Sequence, residues 1–211
     1  MGLAEILHSK NKEIASTNIY DEYLSIIIRN GRRLKDLTDN ILDIARMDSQ
    51  SINLKKQMVN IDTLILDAAQ DIAKDESEVT DDVKLLCPNI NGKQELADNK
   101  VLLVYADKGR IIQVISNLVS NAFNFTKKGF VTVTKRIEDG SVVVSIKDTG
   151  SGIDPQILPR LFTKFTTRSE KGTGLGLYIC KRIIEAHGGK IWRENNVDQG
   201  ATFSFSLPVE I

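Results

Sequence analysis

The sequence predicts an α+β fold, a mixed sheet covered on one face by helices, preceded by a long helix of a helical bundle. Three observations predict it. Residues 18–49 contain no proline and repeat apolar side chains at steps of three and four. Two pairs of alternating segments, 130–137 with 141–147 and 190–193 with 201–207, read as hairpins. Between and after them lie helical patterns over 110–125 and beyond Gly176. The 211 residues suffice for one large domain with a helical attachment.

The first element is the long helix. Leu24, Ile27, Gly31, Leu34, Thr38, Ile41 and Ala45 form a heptad seam, which Ile28, Leu42 and Ile44 widen to bundle width. Before it, residues 3–7 read as the end of another helix and 9–17 as a polar connection. Such an apolar face requires cover from a second copy, from upstream sequence or from the following domain. Residues 1–50 are therefore assigned to the helical region, 51–59 to a linker and 60–211 to the α+β domain.

In that domain Asp62 is the expected N-cap of a helix through Ile72, and residues 101–106 read as a buried strand. Glu138, Asp139 and Gly140 join the first hairpin, and Phe203, Phe205 and Leu207 share one face of the second.

Charge and composition exclude several classes. Lys+Arg and Asp+Glu both number 28, so no global basic field argues for nucleic acid or an anionic membrane surface. No apolar run approaches the roughly 20 residues of a spanning helix. Cys87 and Cys180 are far apart and lack metal spacing, which suits reduced core thiols and a cytoplasmic setting. No cleavable signal is visible in residues 1–7.

Three segments carry chemistry. On the helix over 110–125, Ile111, Ile115, Leu118 and Ala122 form the apolar stripe, while Gln113, Asn117, Asn121 and Asn124 line another face. An ordinary solvated face uses Lys and Glu, yet no charged residue occurs from 111 to 126. Carboxamides can offer oxygen to Mg²⁺ and N–H to phosphate; a polar stripe packed on a neighbouring helix is the alternative. Next, Asp148-Thr149-Gly150-Ser151-Gly152-Ile153 follows a strand: either a pocket carboxylate suited to an exocyclic amine, or an Asx-capped turn. Third, Gly172-Thr173-Gly174-Leu175-Gly176-Leu177 precedes a helix, where exposed N–H groups suit phosphate. Neither a dinucleotide fingerprint nor a Walker A loop fits its context. Between the last two, Leu161-Phe162-Thr163-Lys164-Phe165 reads as a hinged lid or as core aromatics, with mobility expected over residues 163–171.

The order of Asn117-Leu118-Val119-Ser120-Asn121-Ala122, the Asp148 turn, the Phe162 segment and the glycine loop resembles the N, G1, F and G2 boxes of sensor histidine kinases. The resemblance extends through Glu185-Ala186-His187-Gly188-Gly189 to Leu207-Pro208, roughly residues 60–208, and the first fifty residues look like that family's dimerisation region. It implies a Bergerat-type α/β sandwich that binds ATP. Asn121, with Asn117, would hold Mg²⁺, and Asp148 would bind the adenine amino group. Gly150, Gly152 and Ile153 would shape the pocket, with Thr202 near adenine and Asn124 beside the phosphates. Phe162 and Phe165 would belong to the lid, while Gly172, Thr173, Gly174, Leu175, Gly176 and Leu177 would line the phosphates. Asn124 stands where many relatives carry Lys, and Lys127 or Lys128 are the candidates to compensate.

Related ATPases place Glu four residues before the metal-binding Asn; here that position is Asn117, and an amide is no base. Phosphoryl transfer to histidine is therefore the expected reaction, ahead of a hydrolase, a serine kinase or a degenerate binding scaffold. Neither His8 nor His187 matches the family's acceptor pattern, so the acceptor is expected upstream of Met1, on a part of the parent this chain lacks. The implied partners are a response regulator receiver domain and a second copy. The intact parent, which could be membrane anchored, would be a homodimer, and this chain a weak or non-native one.

Overall fold

In the computed structural model the structure describes residues 18–49, 53–74, 82–88, 102–167 and 173–209. The chain divides into two units, Met1–Ser49 and Gln50–Ile211. The predicted segments at 3–7 and 9–17, with His8, lie outside the described residues, as does Gly172.

The first unit contains helix α1, Asn18–Ser49. Its seam positions Ile27, Leu34 and Ile41, each one heptad apart, are 57%, 65% and 51% exposed, so this part of the predicted stripe is open among the described residues.

The second unit runs β1 (Gln57–Asn60), α2 (Ile61–Lys74), β2 (Val83–Leu86), β3 (Leu103–Ala106), α3 (Lys108–Phe125), β4 (Gly129–Glu138), β5 (Ser141–Asp148), α4 (Gly176–Ala186), β6 (Ile191–Asn195) and β7 (Ala201–Pro208). Five strands form one mixed sheet in the order β2-β4-β5-β7-β6, with only the β2–β4 pair parallel. The β4–β5 hairpin closes through Asp139 and Gly140, both at positive φ (47° and 70°), the two-residue turn whose twist matches the strands.

Register then sorts the side chains. Val142, Val144, Ile146 and Asp148 share the face carrying Phe203, Phe205 and Leu207, all buried, against which the helices pack. Ile111, Ile115, Leu118 and Ala122 of α3 are buried too, so the 3.6-residue stripe is the helical side of the core. Ser145 and Ser204 lie on the opposite face and share a buried 2.8 Å hydrogen bond, so β7 is covered on both sides rather than one.

Three local expectations are corrected. The cap of α2 is Asn60, whose Oδ1 accepts from the Asp62 N–H at 2.9 Å; Asp62 sits in the first turn and pairs with Lys135. The strand over 101–106 is described as Leu103–Ala106 and is not fully buried: laddered with β1 and bridged at Val104 to Val209, it alternates exposed Leu103 and Tyr105 with buried Val104 and Ala106. Of the cysteines only Cys180 is in the core; Cys87 is half-buried, and both are free thiols.

Candidate functional site

The site is built where β5 ends, α3 passes and α4 begins. Asp107 caps α3, accepting from Arg110 N–H at 3.2 Å through Oδ1 and from Lys55 N–H at 2.8 Å through Oδ2. From that start the helix turns its carboxamides to one flank. Gln113 accepts from the Arg110 guanidinium at 2.9 Å, so its oxygen is engaged within the helix. Asn117 and Asn121 are half-buried, whereas Asn124 is exposed, with Ser120 Oγ 3.5 Å away.

Asn117 faces α4. A Cβ on Gly176 would stand 3.8 Å from its Nδ2, while the Cys180 thiol one turn on donates to the Val114 carbonyl at 3.9 Å. Burial pushes the thiol up to about 12, with the neighbouring Asn117 side chain opposing. Cys180 is thus an inert core group, and the packed-stripe reading holds for one end of Asn117.

Asp148 closes β5 on the helix face and is only 4% exposed. Its Oδ1 accepts from Gly150 N–H at 2.8 Å and from Ala201 N–H at 3.2 Å. Burial raises its carboxyl above the ordinary range, and these two N–H groups pull it partly back. The Asx turn is present, and it holds one carboxylate oxygen while the other takes no part in those bonds. The turn must be glycine-built: a Cβ on Gly150 would lie 2.3 Å from the Phe125 carbonyl at the end of α3. The Asp148 turn and the end of α3 therefore touch directly, and Ser151 N–H donates to the same carbonyl at 3.3 Å. Gly152 lies at φ 73°.

Thr202 is placed differently from the expectation. It pairs with Lys147, one residue before Asp148, so period-two alternation puts its side chain on the face opposite the carboxylate. Its hydroxyl donates to Asn196 Oδ1 at 2.6 Å.

The lid segment splits its two aromatics. Phe162 is half-buried, edge-on to Phe203 with ring centroids 6.5 Å apart, under the Arg193 guanidinium at 5.6 Å. Phe165 is 71% exposed at φ 63°. Lys164 lies 5.1 Å from the Tyr178 ring, and Gly174, at φ 69°, packs so closely that a Cβ would meet the Phe165 carbonyl carbon at 2.6 Å. The segment and the glycine loop therefore rest on one another. Leu175 is fully buried and anchors the start of α4; Thr173 Oγ1 accepts its N–H at 3.4 Å, and Leu177 is half-buried. No side chain caps α4 and its first turn holds no acidic residue, so its leading N–H groups keep their positive end for an anion.

Several supporting residues escaped the sequence reading. Asn195, Asn196, Gln199 and Arg193 come from the β6–β7 hairpin, and only an Asn-Asn pair ahead of Gly200 marks a turn there. His187 at the end of α4 is buried and neutral, Nδ1–H donating to Ile183 carbonyl at 2.8 Å and Nε2 accepting from Asp107 N–H at 3.0 Å. A cleft of about 180 Å³ beside it, lined by Lys56, Tyr105, His187, Leu207 and Pro208, touches neither the α3 carboxamides nor the Asp148 turn nor the glycine loop. Among the described residues no three His, Cys, Asp or Glu side chains gather to hold a metal.

Comparisons agree with this geometry. Residues 106–211 match the family model described as histidine kinase-, DNA gyrase B-, and HSP90-like ATPase. The chain is 34% identical over 194 residues to Sensor protein SrrB of Staphylococcus aureus (strain MRSA252), covering 89% of this chain and 31% of that protein. Full-length ShkA in complex with AMPPNP superposes with a TM-score of 0.71 at 27% identity, over 96% of this chain and 42% of that one. Histidine kinase ThkA in complex with the response regulator protein TrrA gives 0.69 at 28%, over 98% and 56%. The mixed sheet under its helices is the Bergerat fold of such domains. With motifs, fold and family model falling on one domain, this chain belongs to the histidine kinase-, DNA gyrase B- and HSP90-like ATPase family and carries its ATP-binding domain in the form found in sensor histidine kinases.

Proposed function

We propose that the chain is the nucleotide-binding part of a phosphoryl-transfer enzyme, which binds ATP with Mg²⁺ and presents the γ-phosphoryl group to a histidine. The observation that carries this is Asp148: a buried carboxylate with two N–H groups on Oδ1, at the junction of a carboxamide helix and an uncapped helix start. Its other oxygen would accept from the 6-amino group of adenine. The first N–H groups of α4, with Thr173 and Gly174, would meet the phosphates.

The donor set fits Mg²⁺ rather than a softer metal. Carboxamide oxygens of Asn121 and Asn117 are hard neutral ligands, and a magnesium ion bound on phosphates needs few protein groups. When bound, the ion neutralises charge developing on the transferred group. Asn117 and Asn121 are half-buried on the same flank and would offer their Oδ1 atoms to the ion. Transfer is favoured over hydrolysis because Asn117 replaces the residue that would activate water, and an amide has no basic lone pair at neutral pH.

Onward transfer to a response regulator receiver domain is the activity this reading implies; the chain spans 31% of the length of SrrB. The ThkA–TrrA complex supports that partner. Equilibrium binding of a non-hydrolysable ATP analogue with Mg²⁺ tests the reading: binding that Asn121→Ala and Asp148→Ala each weaken supports it, and unaltered binding in both contradicts it. Steady phosphate release abolished by Asn121→Ala would instead favour the hydrolase.

A further inference from the structure

The turn between β6 and β7 sends three amide side chains onto one short segment, residues 148–153. Asn195 closes a two-bond ring with Ile153: its Oδ1 accepts the N–H at 2.7 Å, and its Nδ2 donates to the carbonyl at 2.9 Å. Asn196 Nδ2 donates to the Asp148 carbonyl and to the Gln199 carbonyl, each at 3.0 Å. Gln199 Nε2 donates to the Thr149 carbonyl at 2.8 Å. The approach is close enough that a Cβ on Gly200 would stand 2.1 Å from the Asp148 carbonyl oxygen. Because carbonyls only accept, the amide orientations follow from the network itself.

We propose that Asn195, Asn196 and Gln199 are positioning residues for base recognition, holding the turn so that the Asp148 carboxylate meets the adenine amino group. This rests on reading Asp148 as the adenine-binding carboxylate. The turn contains Gly150 and Gly152, so its own backbone is permissive and needs outside restraint. A hydrogen bond to a base amino group tolerates only small displacements of its acceptor. The chemistry of the strap also fits. Carboxylates there would repel Asp148, and cations would neutralise it and compete with the amine; neutral amides fix the backbone and leave the carboxylate its charge.

The test uses the full 211-residue chain with Mg²⁺. A fluorescent adenine nucleotide is displaced by ADP and by purine riboside diphosphate, which lacks the 6-amino group. Asn195→Ala and Asn196→Ala are each expected to reduce the preference for ADP about tenfold, with purine riboside diphosphate affinity changing less than about twofold. In an Asp148→Ala background Asn196→Ala should reduce the preference no further. Equal losses for both nucleotides would show a merely structural brace and overturn the proposal. Should either alanine variant fail to fold, Gln199→Ala removes a single bond to Thr149; an unchanged preference there overturns it equally. A preference that survives Asp148→Ala would instead refute the adenine reading beneath it.

Discussion

Asp107 and His187, eighty residues apart, share a hydrogen bond: the Asp107 N–H that precedes α3 donates to Nε2 of the imidazole that ends α4. The Ile183 carbonyl on Nδ1 requires a proton there, so the ring is held as the neutral Nδ1–H tautomer. The helix that carries the carboxamides and the helix whose start is uncapped are thereby tied together at their far ends.

A pH dependence follows. Burial lowers the His187 pKa below its ordinary value of 6.5, with the Ile183 bond opposing and nearby Lys56 adding to the effect. A depressed histidine contributes stability that is fully present above the unfolded pKa and is lost as pH falls through the folded one. Thermal unfolding midpoints should be flat near pH 7.5 and drop as pH falls below about 6.5. His187→Gln should flatten that drop; an equal slope in both proteins would show that another group is responsible.

Asp148 is expected to oppose stability and serve binding. Its carboxyl is raised by burial, so its stability contribution is present below the unfolded pKa and lost as pH rises through the folded value. Asp148→Asn, which can keep both N–H bonds on Oδ1, should raise the melting temperature at pH 7. The same substitution should weaken adenine nucleotides, and Asp148→Ala should do so by about 1–3 kcal/mol more than it weakens guanine nucleotides, by competition binding. Equal losses for both bases would remove Asp148 from base recognition.

Gly174 joins the glycine loop to the lid segment. Alanine there would combine a left-handed backbone with a contact at 2.6 Å to Phe165 main chain. Strain of about 1–3 kcal/mol is expected in Gly174→Ala, with hydrogen exchange accelerating at Phe165 and Thr166 more than in the β4–β5 hairpin. Uniform acceleration would mean that the loop and the lid segment are not specifically coupled.

Deleting the α3 core contact is expected to be costly without touching ligand groups. Leu118 is fully buried between Asn117 and Asn121, so Leu118→Ala should cost about 2–5 kcal/mol in denaturant unfolding. Nucleotide affinity should change little while the protein remains folded.

The α1 seam predicts association. Leu34 is 65% exposed and flanked a heptad away by Ile27 and Ile41. Sedimentation should show a weak, concentration-dependent dimer that Leu34→Asp shifts to monomer, each buried Leu or Ile contributing about 1.5–3 kcal/mol. A dimer that persists at nanomolar concentration and in the variant would place the interface elsewhere.

The sequence by itself determined what is written in contiguous residues. Periodicity alone gave α1 its full span, the α3 stripe and both hairpins, and the glycine-bearing Asp148 and Gly174 segments announced turns because few other residues tolerate them. Tertiary structure decided what depends on register and packing. Asp148 is held by Ala201 and Asn196, 53 and 48 positions away, and no local pattern encodes such partners. A single step of strand register sends Thr202 to the face opposite Asp148, and a buried carbonyl and N–H make His187 neutral. Side-chain type and spacing are local properties of the chain; the facing of a strand, the partner of a cap and the charge of a buried ring are set by what the fold packs against them.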